Sequence, residues 1–334
     1  MEVIRTVREL QSRAEAERAA GRRSALVPTM GALHAGHLAL LDEARRRADV
    51  VCVSIFVNPA QFDARADLAA YPRTLDADLA ACRARGVERV FLPDERELYQ
   101  GGHQTWLEVS ELSKPLCGAA RPGHFRGVAT VVAKLLIAAR PHVAVFGEKD
   151  FQQLAVVRRL VRDLGLDVEI VGLATVRESD GLALSSRNVH LTGEARRQAL
   201  CLVHALEAAE SALAAGERRR DAVLAAVREV IAKATLARLD YAELRDPETL
   251  AEAPQQLAAP ALLALAVFLP RQDGDGSVRL IDNRVLLGAG PESGSGRPDA
   301  DASPPTALRS LRRSFGYASV ATPCWRRAST PGLN

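Results

Sequence analysis

Apolar residues recur along the first half of this chain in two alternating patterns. Short runs occupy residues 25–27, 50–57, 89–92, 141–146 and 167–171, and a run that is apolar throughout suits a strand covered on both faces. Between them, residues 36–47, 75–85, 128–139 and 150–164 space their apolar positions three and four apart, as in a helix with one face on a core. Residues 1–20 are charged and read as helical. Strand–helix alternation of this length predicts a parallel sheet with right-handed crossovers, hence a doubly wound α/β fold. Ligands of such sheets bind beyond the carboxyl ends of the strands. Four segments fall there: residues 29–37, 58–62, 147–153, and the stretch from Val176 onward.

The pattern changes in the second half. Residues 195–214 and 220–234 are alanine-rich amphipathic helices, while 241–244, 261–269 and 277–281 read as strands. Asp273-Gly274-Asp275-Gly276 suits a hairpin turn between the last two. The chain thus reads as a sheet domain over residues 1–175, a smaller α+β domain over 176–287 packed on the sheet edge, and a tail over 288–334. The tail is rich in Gly, Ser, Pro and Ala without a period, a composition that predicts disorder.

Composition and charge narrow the partners. The net charge of +3 has a local origin: residues 291–334 carry six Arg against three acidic residues, and the remainder balances. A neutral body without a basic stripe argues against nucleic acid. No apolar run reaches membrane-spanning length, and residues 1–20 lack the apolar core of a secretory signal. Five scattered cysteines, at 52, 82, 117, 201 and 324, form no metal-type pairs and fit reduced thiols in a cytosol.

The strongest chemical signal is Pro28-Thr29-Met30-Gly31-Ala32-Leu33-His34-Ala35-Gly36-His37. A buried strand ends, glycines turn the chain, and two histidines stand where a helix begins. First-turn N–H groups and the helix dipole favour a polyphosphate there. Two imidazoles three residues apart share one helical face and reach one phosphate chain. The spacing is neither the dinucleotide fingerprint nor the Walker loop. It points to nucleotidyl transfer, with an acceptor attacking the α-phosphate of ATP.

Other segments add weaker signals. Asn58-Pro59-Ala60-Gln61-Phe62 carries two amides past a strand end, suited to a hydroxyl and carboxylate substrate or simply to a turn. Gly147-Glu148-Lys149-Asp150-Phe151-Gln152-Gln153 starts a helix, with Asp150 as N-cap and Lys149 as a point charge for phosphates. Ser185-Ser186-Arg187-Asn188 offers hydroxyls and a guanidinium, a second clamp on ATP. Asp78 is placed to help hold Mg2+, or is a first-turn acid favoured by the dipole. Residues 121–127 form a basic lid or a solvated loop.

Together these strings resemble the pantothenate synthetase (pantoate–β-alanine ligase) family, within the HIGH-type nucleotidyltransferase superfamily. The likeness runs from about residue 1 to residue 287 and includes Leu280-Ile281-Asp282-Asn283. It implies a Rossmann-like fold, Mg2+, and ATP-dependent joining of pantoate to β-alanine through pantoyl adenylate, in a cytoplasmic homodimer. It implies ATP contacts at Met30, Gly31, Ala32, Leu33, His34, Ala35, Gly36 and His37. Further ATP contacts are implied at Gly147, Glu148, Lys149 and Asp150, at Val176, and at Leu184, Ser185, Ser186 and Arg187. His37 matches the proton donor, His34 its phosphate-binding companion, and Lys149 completes the catalytic set. Gln61 and Gln153 match pantoate ligands, and Gln61 also lies near β-alanine. Ala60 stands where Met is common in the family, Leu184 replaces a frequent Met, Gln100 replaces a Pro, and Cys117 occupies a position that varies between Glu and Cys. None of these removes a catalytic group. The rival readings are another nucleotidyltransferase, acting on a phosphorylated alcohol or using CTP, and a nucleic-acid-binding protein.

Overall fold

The computed structural model describes residues 1–62, 68–69, 71–191, 193–272 and 276–286. The tail, and the turn residues 273–275, lie outside the described residues. Six parallel strands form the larger sheet: β1 (Glu2–Ile4), β2 (Ser24–Thr29), β3 (Val50–Ile55), β4 (Arg89–Phe91), β5 (Val143–Gly147) and β6 (Glu169–Leu173). Their order is β1-β4-β3-β2-β5-β6. The chain winds from β2 outward through β3 to β4, then returns to place β5 on the other side of β2. That reversal opens a crevice beyond the carboxyl ends of β2 and β5.

Both faces of the sheet are covered because successive strand residues point opposite ways. Val27, Val53 and Val90 pack with Leu41 and Cys82, from the helices Ala35–Arg47 and Leu75–Ala84. Leu26, Cys52 and Phe91 share the opposite core with Val132, Leu136 and Leu154, from the helices His124–Ala139 and Phe151–Leu164. This is the doubly wound architecture.

A second sheet is antiparallel: β7 (Arg238–Arg245), β8 (Ala261–Pro270) and β9 (Ser277–Leu286), with β8 central. Leu263, Leu265 and Val267 pack against Leu202, Leu206, Val223 and Val227 of the helices Cys201–Ala214 and Arg220–Ala232. Leu262 and Ala264, on the other face of β8, join the first sheet's core. Met1–Gly288 is one compact unit.

Several boundaries depart from the sequence pattern, among them the helix read over 195–214, which is two helices, Gly193–Gln198 and Cys201–Ala214. Residues 1–20 are not one helix: Val3 pairs with Val90 in β1, and the helix Val7–Ala19 starts only after Thr6, which exchanges capping hydrogen bonds with Glu9. A three-residue strand is too short to show a period. Strands β7 and β9 also outrun the stretches read as 241–244 and 277–281, because charged residues such as Asp240 and Asp282 find ion-pair partners within the fold.

Candidate active site

The chain leaves β2 and reverses through Gly31 and Ala32, whose φ angles are +80° and +52°. A Cβ on Gly31 would lie 3.0 Å from Asp78 Oδ2, so glycine suits both the backbone and the space. The N–H groups of Ala32 and Leu33 donate to the two Asp78 carboxylate oxygens at 3.0 and 2.8 Å, and the Thr74 hydroxyl donates at 3.2 Å. Asp78 is 2% exposed.

The histidines then cap the helix Ala35–Arg47. His34 Nδ1 accepts the Gly36 N–H at 3.1 Å, and His37 Nδ1 accepts the His34 N–H at 3.3 Å. A Cβ on Gly36 would sit 2.9 Å from the His34 ring, so this position must stay bare for the cap to form. The N–H groups of Ala32, Leu33 and His34, ahead of the helix, and of Gly36 in its first turn are thus engaged internally. Imidazole edges add donors for a phosphate at the same helix start. Because each Nδ1 accepts, a neutral ring carries its proton on Nε2. The ring centroids are 4.1 Å apart. Burial lowers the pKa of His34, aided by the charge of Lys149. Burial, and then the charge of His34, brings His37 down to about 4. Both rings are therefore neutral N–H donors near pH 7.

Gln61 is oriented by buried partners. Asn58, 1% exposed, donates from its amide to Gln61 Oε1 at 3.0 Å and to the Gly127 carbonyl at 3.2 Å. Asn58 Oδ1 accepts from the Tyr99 hydroxyl at 2.8 Å. Gln61 Nε2 is left as a donor beside Met30 Sδ, 3.3 Å away. Arg121 donates to the Gln61 carbonyl at 2.9 Å, and His124 Nδ1 lies 2.8 Å from the same oxygen. Residues 121–127 are therefore anchored to the site. The helix His124–Ala139 approaches so closely that a Cβ on Gly127 would meet the Ala60 carbonyl oxygen at 2.3 Å.

The remaining predicted residues form the other walls. Gly147, Lys149, Asp150 and Gln153, which follow β5, line a cavity of about 620 Å³ together with Met30, His34, Gly36, His37 and Gln61. Val176, Leu184, Ser185, Ser186 and Arg187 complete it. Leu184 comes within 3.9 Å of where a Gly36 Cβ would stand, so this loop faces the helix start. Gly31, Ala32, Leu33, Ala35 and Glu148 are not among the lining residues; they shape the backbone behind it. Asp150 occupies the N-cap position of Phe151–Leu164 without a side-chain cap bond, which corrects its expected capping role.

A metal fits Asp78 poorly. Its two oxygens accept backbone N–H groups in a buried setting, and among the described residues no cluster of three or more His, Cys, Asp or Glu is placed to hold an ion. The expected metal ligand is instead a brace for the reversal at residues 31–33.

Sequence reasoning missed the contribution of the second sheet. Tyr241, Arg279 and Asn283 line the cavity, as does Cys117, whose sulfur accepts from Arg279 Nη1 at 3.3 Å. The signal open to it was polar residues set in otherwise apolar β9, within the string Leu280-Ile281-Asp282-Asn283.

Comparison with known proteins places this site in a family. A family model described as pantoate-beta-alanine ligase matches residues 2–285. The pantothenate synthetase of Syntrophobacter fumaroxidans is 52% identical over 286 residues, covering 86% of this chain and 99% of its own. That of Myxococcus xanthus is 51% identical over 300 residues, covering 88% and 98%. The crystal structure of pantothenate synthetase from Thermus thermophilus aligns with a TM-score of 0.78 at 44% identity, covering 85% of this chain and 99% of that one. The pantoate-beta-alanine ligase of Francisella tularensis, crystallised with beta-gamma ATP and beta-alanine, aligns with a TM-score of 0.69 at 32% identity, covering 85% and 97%. The helix-capping histidine pair, the two glutamines and the lysine that follows β5 thus stand in a chain that belongs to the pantoate–β-alanine ligase family of enzymes.

Proposed function

We propose that this cleft joins pantoate to β-alanine in two steps driven by ATP. The pantoate carboxylate attacks the α-phosphorus, and pyrophosphate leaves with the electrons of the α–β bridge. The β-alanine amine then attacks the acyl carbon of pantoyl adenylate, loses a proton, and releases AMP. No side chain needs to act as a nucleophile, so catalysis is positioning plus charge neutralisation. The carrying observation is the pair of Nε2–H donors of His34 and His37, fixed by backbone-bonded Nδ1 atoms at the sheet's switch point.

His37 hydrogen-bonds the bridging oxygen as charge develops, His34 holds the phosphate chain, and Lys149 neutralises it from the β5 side. The strip Met30 to His37, the turn Gly147 to Asp150, Val176, and the loop Leu184 to Arg187 enclose the nucleotide. Gln61 and Gln153 hold pantoate, and Gln61 borders β-alanine. Mg2+, where present, would be carried by the ATP phosphates and would supply charge neutralisation there, since it commonly keeps waters and few protein ligands. Residues 176–287 act as a lobe that shields the adenylate from water. The reading extends to a homodimer in the cytoplasm. Supplying ATP, pantoate, β-alanine and Mg2+ tests it: AMP must appear together with pantothenate. AMP formed only with another acceptor would overturn the substrate assignment.

A further inference from the structure

Lys149 lies on a single turn, Glu148–Asp150, whose N-terminal cap position, Gly147, offers no side-chain bond. The turn leads directly into the helix Phe151–Leu164, and neither start is held by a side-chain cap bond of its own. A side chain from β9 holds it instead. Asn283 Nδ2 donates to the Glu148 carbonyl at 3.0 Å and the Lys149 carbonyl at 2.8 Å. One amide thereby fixes both peptide oxygens that flank the lysine.

Asn283 is itself held. Its N–H donates to Asp282 Oδ1 at 2.8 Å, and Asp282 is 1% exposed. Arg177 grips that carboxylate with two bonds, at 2.7 and 2.9 Å, and also donates to the Gly181 carbonyl at 3.0 Å. Gly181 belongs to the segment leading into Ser185, Ser186 and Arg187. A bidentate pair on a buried carboxylate resists rotation, so the network links two walls of the cleft to one strand of the second sheet.

We propose that Asn283, braced by the Arg177–Asp282 pair, is a positioning residue for Lys149, acting on adenylate formation and not on amide formation. This rests on the reading that Lys149 neutralises phosphate. Only the first step carries a triphosphate whose charge that lysine would meet.

The test separates the two half-reactions. Pantoate-dependent exchange of labelled pyrophosphate into ATP reports the first, and conversion of synthetic pantoyl adenylate with β-alanine reports the second. Asn283→Ala is expected to slow exchange roughly 10–100-fold, the cost of two lost bonds, while amide formation keeps its rate. Lys149→Ala is expected to slow exchange at least as much, with the double variant no slower than Lys149→Ala alone. Asn283→Ser, which retains one donor, is expected to fall between, and it replaces the alanine variant if thermal melting shows that variant unfolded. Equal slowing of both half-reactions, unchanged exchange in a folded Asn283 variant, or multiplicative effects in the double variant would each overturn the proposal. Unchanged exchange in Lys149→Ala would instead overturn the phosphate role of that lysine, and the proposal with it.

Discussion

The backbone N–H of Leu33 donates to the carboxylate of Asp78 at 2.8 Å, across 45 residues of sequence. This bond, and its partner from Ala32, hold the reversal that delivers His34 to the helix start. Asp78→Ala leaves two buried N–H groups unpaired and is expected to cost about 3 kcal/mol of stability, read by urea melts. Its loss of activity should not respond to added Mg2+. Recovery at high Mg2+ would mean that Asp78 does hold the ion.

His37→Ala is expected to lower kcat roughly 10²–10⁴-fold, because the hydrogen bond to the leaving oxygen matters most in the transition state. A KM change with kcat intact would assign His37 to ground-state binding only. Steady-state kinetics with ATP varied decides between them.

The same ring makes the fold acid-sensitive. Its native pKa is held near 4 by burial, against an ordinary value of 6.5. Between those values the unfolded chain binds a proton that the native ring refuses, so stability falls as pH drops from about 6.5 to about 4, by up to about 3 kcal/mol. Thermal melts across that window should show the decline, and His37→Gln should flatten it. Parallel curves for the two proteins would place the acid sensitivity elsewhere.

Gly127→Ala is expected to destabilise the protein by about 1–3 kcal/mol and to raise the KM for pantoate more than that for ATP. The added methyl would push against the Ala60 carbonyl oxygen, 2.3 Å from its ideal position, and so tilt the turn that carries Gln61. Equal changes in both KM values would show that the strain spreads through the whole cleft.

Deleting residues 291–334 should leave kcat and both KM values unchanged, since among the described residues the lining ends at Asn283. A large loss of activity would give that segment a role at the site.

Neighbours along the chain were enough to specify the local features. Continuous apolar runs such as residues 50–57 marked buried parallel strands, here Val50–Ile55, and the three-and-four spacing of residues 150–164 marked a helix, here Phe151–Leu164. The residues that come together around the cavity were legible too, since His34, His37, Lys149, Gln61 and Gln153 sit in short strings at strand ends. Folding settled which residues hold those groups. Asp78 had two possible uses until it came against the Ala32 and Leu33 amides. Asn58 was one of two equivalent amides until burial made it the one that orients Gln61. Asn283 was the end of a four-residue string, past the strand read over 277–281, until β9 came to lie against the turn carrying Lys149. Hydrogen bonds between residues 45, or 134, positions apart leave no local pattern, because their geometry exists only once two sheets and their loops have packed.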